Sequence, residues 1–176
     1  FSSAMYDGSR HEFAENVART AEAARWGRMH DVWIEAELGE VGGKEGAHAA
    51  GVRTNPADAA RFVADTGVDS LAVAVGSSHA MVEKNARIDL DLVEQLRDAV
   101  PVPLVLHGSS GVPDEVIAEA TRRGIAKVNI GTALNVAYTN AVRRWLSANE
   151  TGVDPRKYLA EARAAVADTV THYLRV

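Results

Sequence analysis

The chain has 176 residues, 47% of them hydrophobic, with 19 Lys and Arg against 24 Asp and Glu and a formal net charge of −5. That size suffices for one domain with a real core. The mild acidity and the lack of a cationic cluster speak against nucleic acid as a partner. The absence of cysteine excludes disulfides and thiolate chemistry, and no apolar run approaches the length of a membrane span, so a cytoplasmic protein without a membrane partner is expected.

Phe1 to Tyr6 is a short apolar run that ends in Asp7-Gly8-Ser9. Glu12 to Trp26 has helical spacing, with Phe13, Val17, Ala21 and Ala24 on one stripe. Val32 to Leu38 reads as a strand, followed by a Gly-rich loop from Gly39 to Thr54. Asn55-Pro56 supplies an N-cap and a first-turn proline for a helix reaching Thr66. Leu71 to Val75 and Pro103 to Leu106 are short, apolar and flanked by turn residues, as strands buried on both faces are. Ile88 to Ala99 is the helix between them, which makes them parallel neighbours. Pro113 to Arg123 is a further helix, Ala126 to Ile130 a fifth strand, and Thr132 to Ala148 and Asp154 to Leu174 are two longer helices.

Strand–helix alternation of this kind predicts a parallel α/β sheet. A polar residue falls at the end of every strand (Asp7, Glu37, His79, His107, Asn129). A doubly wound sheet gathers ligand groups at one switch point, whereas a (β/α)8 barrel collects them from all strands. The barrel is therefore the expected fold class. It takes about 250 residues, so residues 1–176 are read as one partial barrel domain carrying strands four to eight and the C-terminal helices, with the N-terminal units missing.

His79 and His107 emerge at carboxyl ends of adjacent strands, a placement suited to a shared metal, with Zn2+ the natural ion for imidazole. The plain alternative is that both bond backbone groups in a barrel mouth. His11, His30, His48 and His172 lack the strand-end setting. Glu35 and Glu37 are two apart and face one side of their strand. Acidic groups inside a barrel need a cation or a pairing partner, and for Glu35 a structural ion pair with Lys127 competes with a functional role. Gly108-Ser109-Ser110 and Asn129-Ile130-Gly131-Thr132 pass directly from strand to helix, where small residues and a helix N-terminus favour a phosphate. Glu45 sits in the Gly42-Gly43-Lys44-Glu45-Gly46 segment of a long loop, either as a group that swings in to move a proton or as a solvated charge.

The strings Met5-Tyr6-Asp7-Gly8-Ser9, Glu35-Ala36-Glu37-Leu38-Gly39 with Gly42-Gly43, Gly76-Ser77-Ser78-His79, Leu106-His107-Gly108-Ser109-Ser110-Gly111-Val112-Pro113, Lys127-Val128-Asn129-Ile130 and Asp154-Pro155-Arg156-Lys157-Tyr158-Leu159 occur in this order. From Met5 to the C-terminus the chain resembles class II, metal-dependent ketose-bisphosphate aldolases. The resemblance implies a zinc (β/α)8 barrel that cleaves fructose or tagatose 1,6-bisphosphate to dihydroxyacetone phosphate and glyceraldehyde 3-phosphate through a zinc-stabilised enediolate. It casts His79 and His107 as two of three zinc ligands, and Asp7 and Glu37 as holders of a second or displaced metal, a further divalent or a monovalent cation. It casts Glu45 as the acid that exchanges the carbon-bound proton. Ala80, Gly108, Ser109, Ser110, Asn129, Ile130, Gly131 and Thr132 fall to substrate and phosphate, and Arg156 to a neighbouring subunit's distal phosphate. It also implies a homo-oligomer, a dimer or tetramer.

Three departures stand out. The histidine-leucine-aspartate-histidine segment that supplies the third zinc ligand and an acid is absent, so this chain alone is expected to be inactive. Ala80 replaces a usual glycine. Gly131 replaces the aspartate of fructose-type enzymes and, with the short Gly46–Thr54 stretch, is more like the tagatose branch. The competing reading from another class is a non-catalytic fragment or paralogue that binds sugar phosphate or metal.

Overall fold

In the computed structural model, which describes residues 1–39, 52–79 and 81–176, strands and helices alternate through the first five strands. The strands are β1 (Ser3–Tyr6), β2 (Trp33–Leu38), β3 (Ser70–Val73), β4 (Leu104–Leu106) and β5 (Ile125–Val128). The helices are α1 (Phe13–His30), α2 (Pro56–Thr66), α3 (Leu90–Ala99), α4 (Asp114–Arg123), α5 (Thr132–Ala148) and α6 (Pro155–Tyr173). The strands form one sheet in the order β1-β2-β3-β4-β5, every pair parallel. Sequential order without a reversal is the arrangement of a barrel wall and has no switch point.

Local chemistry sets the boundaries. Asn55 caps α2 by accepting from the N–H groups of Ala57 and Asp58 at 2.9 and 3.2 Å, Pro56 occupies the first turn, and Gly67 closes the helix at φ 65°. Asp89 caps α3 by accepting from Leu92 N–H at 3.0 Å, so that helix starts at Leu90, two residues after the expected Ile88. Helix α1 runs a turn past the expected end at Trp26. Its Gly27 lies under Ile34, where a Cβ would come within 2.4 Å of the Ile34 side chain, so glycine here serves close packing and does not break the helix.

The core lies on one face of the sheet. Ile34, Ala36, Leu38, Leu71, Val73, Leu104 and Leu106 pack against Ala24, Ala59, Phe62, Val63, Val93, Leu96 and Ala120 from α1 to α4. Burying one of the larger of these side chains, such as Leu71 or Phe62, contributes about 1.5–3 kcal/mol. Helices α5 and α6 pack chiefly on each other. The chain end returns to the sheet region, where Tyr173 and Val176 join a small cluster around Val112 and Ile117. The alternate residues of the strands face the other way, and they carry the polar groups.

Candidate metal centre and anion cradle

Pairing Met5 with Glu35, Glu37 with Ala72 and Ala72 with Val105 aligns the strand ends, so Asp7, Glu37, His79, His107 and Asn129 meet around one cavity of about 360 Å³. Gly108, Ser109, Ser110, Ile130, Gly131 and Thr132 complete its lining. Glu45 and Ala80 lie outside the described residues. Arg156 is not at this cavity; it sits in the first turn of α6, 89% exposed, with its guanidinium on Asp154 at 2.8 Å.

Donor atoms of Glu37, His79 and His107 all lie within 4.8 Å of one another. Two imidazoles and a carboxylate are a catalytic zinc donor set, so the chemistry of these groups fits the ion. Glu37 joins the two histidines in one group of donors. The Asp7 carboxylate lines the same cavity but accepts from the Ser9 N–H at 3.1 Å and the Ser9 hydroxyl at 2.7 Å.

His107 is 3% exposed and lies between two carboxylates. Its Nδ1 donates to Glu37 Oε2 and its Nε2 to Glu35 Oε1, each at 2.9 Å. Burial opposes charge on the ring, but the hydrogen bonds and charges of Glu35 and Glu37 outweigh it and hold the pKa up at about 9. Burial likewise works against the Glu35 carboxylate, yet His107 and Lys127 bring its pKa below the ordinary value. Lys127 Nζ donates to Glu35 Oε2 at 2.6 Å, so the ion pair weighed for Glu35 is present. His107 has carboxylate partners on both ring nitrogens, which makes this a place built for positive charge.

The anion side is formed by backbone. Gly108 has φ 64°, and a Cβ there would meet Ser78 backbone at 2.6 Å, so only glycine lets the loop after β4 approach the loop after β3. A 3-10 turn over Ser109–Gly111, not foreseen from the sequence, follows at once. Ser110 Oγ accepts from Ala133 N–H at 3.1 Å and ties this turn to the first turn of α5. The N-terminus of α5, opened by Gly131-Thr132, therefore faces the cavity beside the two histidines.

Two positioning residues escaped the sequence reading. Asn16, 2% exposed on α1, donates from Nδ2 to the Glu37 carbonyl at 3.2 Å and thereby fixes the end of β2. Thr54 joins the ends of β2 and β3: its hydroxyl donates to Leu38 O at 2.6 Å and accepts from Ala74 N–H at 2.8 Å, and its N–H donates to Ala74 O at 2.9 Å. Each acts across a gap of 16 residues or more, which local patterns do not reveal.

The YdjI aldolase from Escherichia coli K12 shares 37% identity with this chain and superposes with a TM-score of 0.84, covering 99% of this chain and 60% of its own. A proposed fructose-1,6-bisphosphate aldolase from Coccidioides immitis is 30% identical with a TM-score of 0.80, covering 97% of this chain and 62% of its own. The fructose-bisphosphate aldolase of Campylobacter jejuni, at 23% identity and a TM-score of 0.79, covers 97% and 58% and agrees in fold. This chain thus spans about three-fifths of the length of these solved relatives. Residues 1–176 match the family described as fructose-bisphosphate aldolase class-II, and with the strand-end histidines, the carboxylate and the glycine loops all in place, the chain belongs to that family.

Proposed function

We propose that this chain carries the metal-binding and phosphate-binding side of a metal-dependent aldolase that cleaves a ketose 1,6-bisphosphate, of tagatose or fructose type, to dihydroxyacetone phosphate and glyceraldehyde 3-phosphate. One observation carries the reading: the Glu37, His79 and His107 donors lie within 4.8 Å of one another in the same cavity as the N-terminus of α5. The five strands are assigned to positions four to eight of a closed barrel, and residues 1–176 to a single partial domain.

Glu37, His79 and His107 would hold the metal, with Asp7 placed for a second cation. A bound zinc ion supplies Lewis-acid polarisation of the ketone and charge relief as the carbon–carbon bond breaks. The remaining work falls to the chain. Backbone N–H groups of Gly108 to Ser110 and of Ile130 to Thr132 hold the phosphate against the positive end of α5, with Ala80 assigned a backbone contact. Asn129 presents a neutral amide beside the reacting carbons. Glu45 is assigned the carbon-bound proton, as a positioned acid and base. Arg156, on the exposed start of α6, is assigned to a distal phosphate in a neighbouring subunit. A cytoplasmic homo-oligomer is the assembly that goes with this reading, on the strength of the family.

Gly131 supports a substrate preference toward the tagatose side, because it leaves this position without a carboxylate and, among the described residues, a Cβ there meets nothing within 4 Å. The deciding experiment is retro-aldol cleavage of both sugar bisphosphates by the full-length protein, with and without a chelator. Chelator-sensitive release of triose phosphate is expected, and the rate ratio names the preferred sugar. Failure to cleave either with zinc bound overturns the assignment in favour of a sugar-phosphate-binding role.

A further inference from the structure

Lys127 has no part in the chemistry above, yet its place in the sheet is specified by an irregularity. Between β4 and β5 the pairing steps from Leu104 with Ile125 directly to Val105 with Lys127, and so skips Ala126. Regular pairing would set Ala126 against Val105 and turn Lys127 toward the apolar layer under the helices, since a one-residue shift exchanges the two faces of a strand. The extra residue re-aims Lys127 onto the inner face, as bulges beside functional sites do. There its Nζ reaches Glu35 Oε2 at 2.6 Å. The Glu35 side chain is 6% exposed and uses its other oxygen to accept from His107 Nε2 at 2.9 Å.

We propose that Lys127 and Glu35 are positioning residues of the metal centre: Lys127 fixes the Glu35 carboxylate, and Glu35 fixes the His107 ring with Nδ1 turned toward Glu37 and His79. The inference rests on the reading of Glu37, His79 and His107 as metal ligands. Ligating imidazoles characteristically donate their other N–H to a carboxylate, which sets the tautomer and the ring orientation. Lys127 balances the charge of Glu35, so the second carboxylate on His107, Glu37, remains available to the cation. A purely structural ion pair would not need the imidazole on its far side, and an apolar residue at 35 would be buried at lower cost.

The test uses full-length protein carrying Lys127→Met, Lys127→Gln, Lys127→Arg and Glu35→Gln. It reads the zinc dissociation constant by chelator competition, the Co2+ absorption spectrum, and thermal unfolding of metal-stripped protein. Loss of the partner is expected to weaken zinc binding about 10–100-fold and to shift the Co2+ bands, with Lys127→Arg restoring both. The Gln variant stands in should the Met variant fail to fold. Zinc affinity and Co2+ bands unchanged from the parent, with only a lower Tm in stripped protein, would overturn the positioning role and leave the metal site standing. A parent protein that binds neither ion overturns both the positioning role and the metal reading.

Discussion

Along β2, alternate residues enter different environments. Ile34, Ala36 and Leu38 go to the apolar layer beneath the helices, whereas Glu35 and Glu37 turn inward to His107, with Lys127 reaching Glu35 from β5. The outer face offers dispersion and hydrophobic burial, which tolerate changes that keep volume. The inner face offers paired charges, whose burial is costly unless each keeps its partner. Stability is therefore concentrated on one side of the strands and chemistry on the other, and the two should respond to substitution independently.

The sharpest way to break that separation is His107→Ala in the full-length protein. It removes a proposed metal ligand and leaves Glu35 and Glu37 facing a void, so retained zinc and triose-phosphate release should both fall to background. Metal-stripped protein should lose about 3–5 kcal/mol in denaturant unfolding. Phe62→Ala on the outer side, at a fully buried ring, should cost about 3–5 kcal/mol while zinc stoichiometry stays at the parent value. A loss of zinc in that variant would show that the two faces are coupled.

Acid–base behaviour sharpens the comparison. The folded pKa of His107, about 9, lies above the ordinary histidine value of 6.5, so its contribution to the metal-free fold is complete below about 6.5 and fades as pH rises through about 9. Thermal scans of stripped protein should show Tm falling between about pH 7 and pH 10, by the equivalent of about 2–3 kcal/mol. Phe62→Ala should preserve that slope and His107→Ala should flatten it. Zinc should bind more tightly as pH rises over the same range, since its uptake displaces the ring proton. Thr54→Val should cost about 1–3 kcal/mol by leaving Leu38 O and Ala74 N–H without their hydroxyl partner. Asn55→Ala, which removes only the cap of α2, should cost about 1 kcal/mol, read as a small shift in the urea midpoint.

The alternation of the two faces was legible in the sequence because its signal is local. Buried strands, the Asn55-Pro56 helix start and the polar strand ends all lie within a few residues of the pattern that announces them. Candidate site residues were named from that placement, and the Lys127–Glu35 pair was named as one of two alternatives. The contact between Glu37 and His107 was not legible. Glu37 and His107 are 70 residues apart, and whether they touch depends on the registers of two intervening pairings. The skipped Ala126 is likewise a matter of register between β4 and β5, and the 3-10 turn at Ser109 is tied to α5 through Ser110 and Ala133, 23 residues apart.

Thr54 has a consequence for how this scaffold could diversify. By tying Leu38 O to Ala74 N–H, it seals the neighbouring ends of β2 and β3 with a side chain. Whatever chain is inserted between Gly39 and Val52 leaves from and returns to anchor points that do not depend on it. Lengthening such a connection costs only about 0.6 kcal/mol per doubling. Changes in that connection are thereby separated from the sheet that carries the candidate metal-binding group.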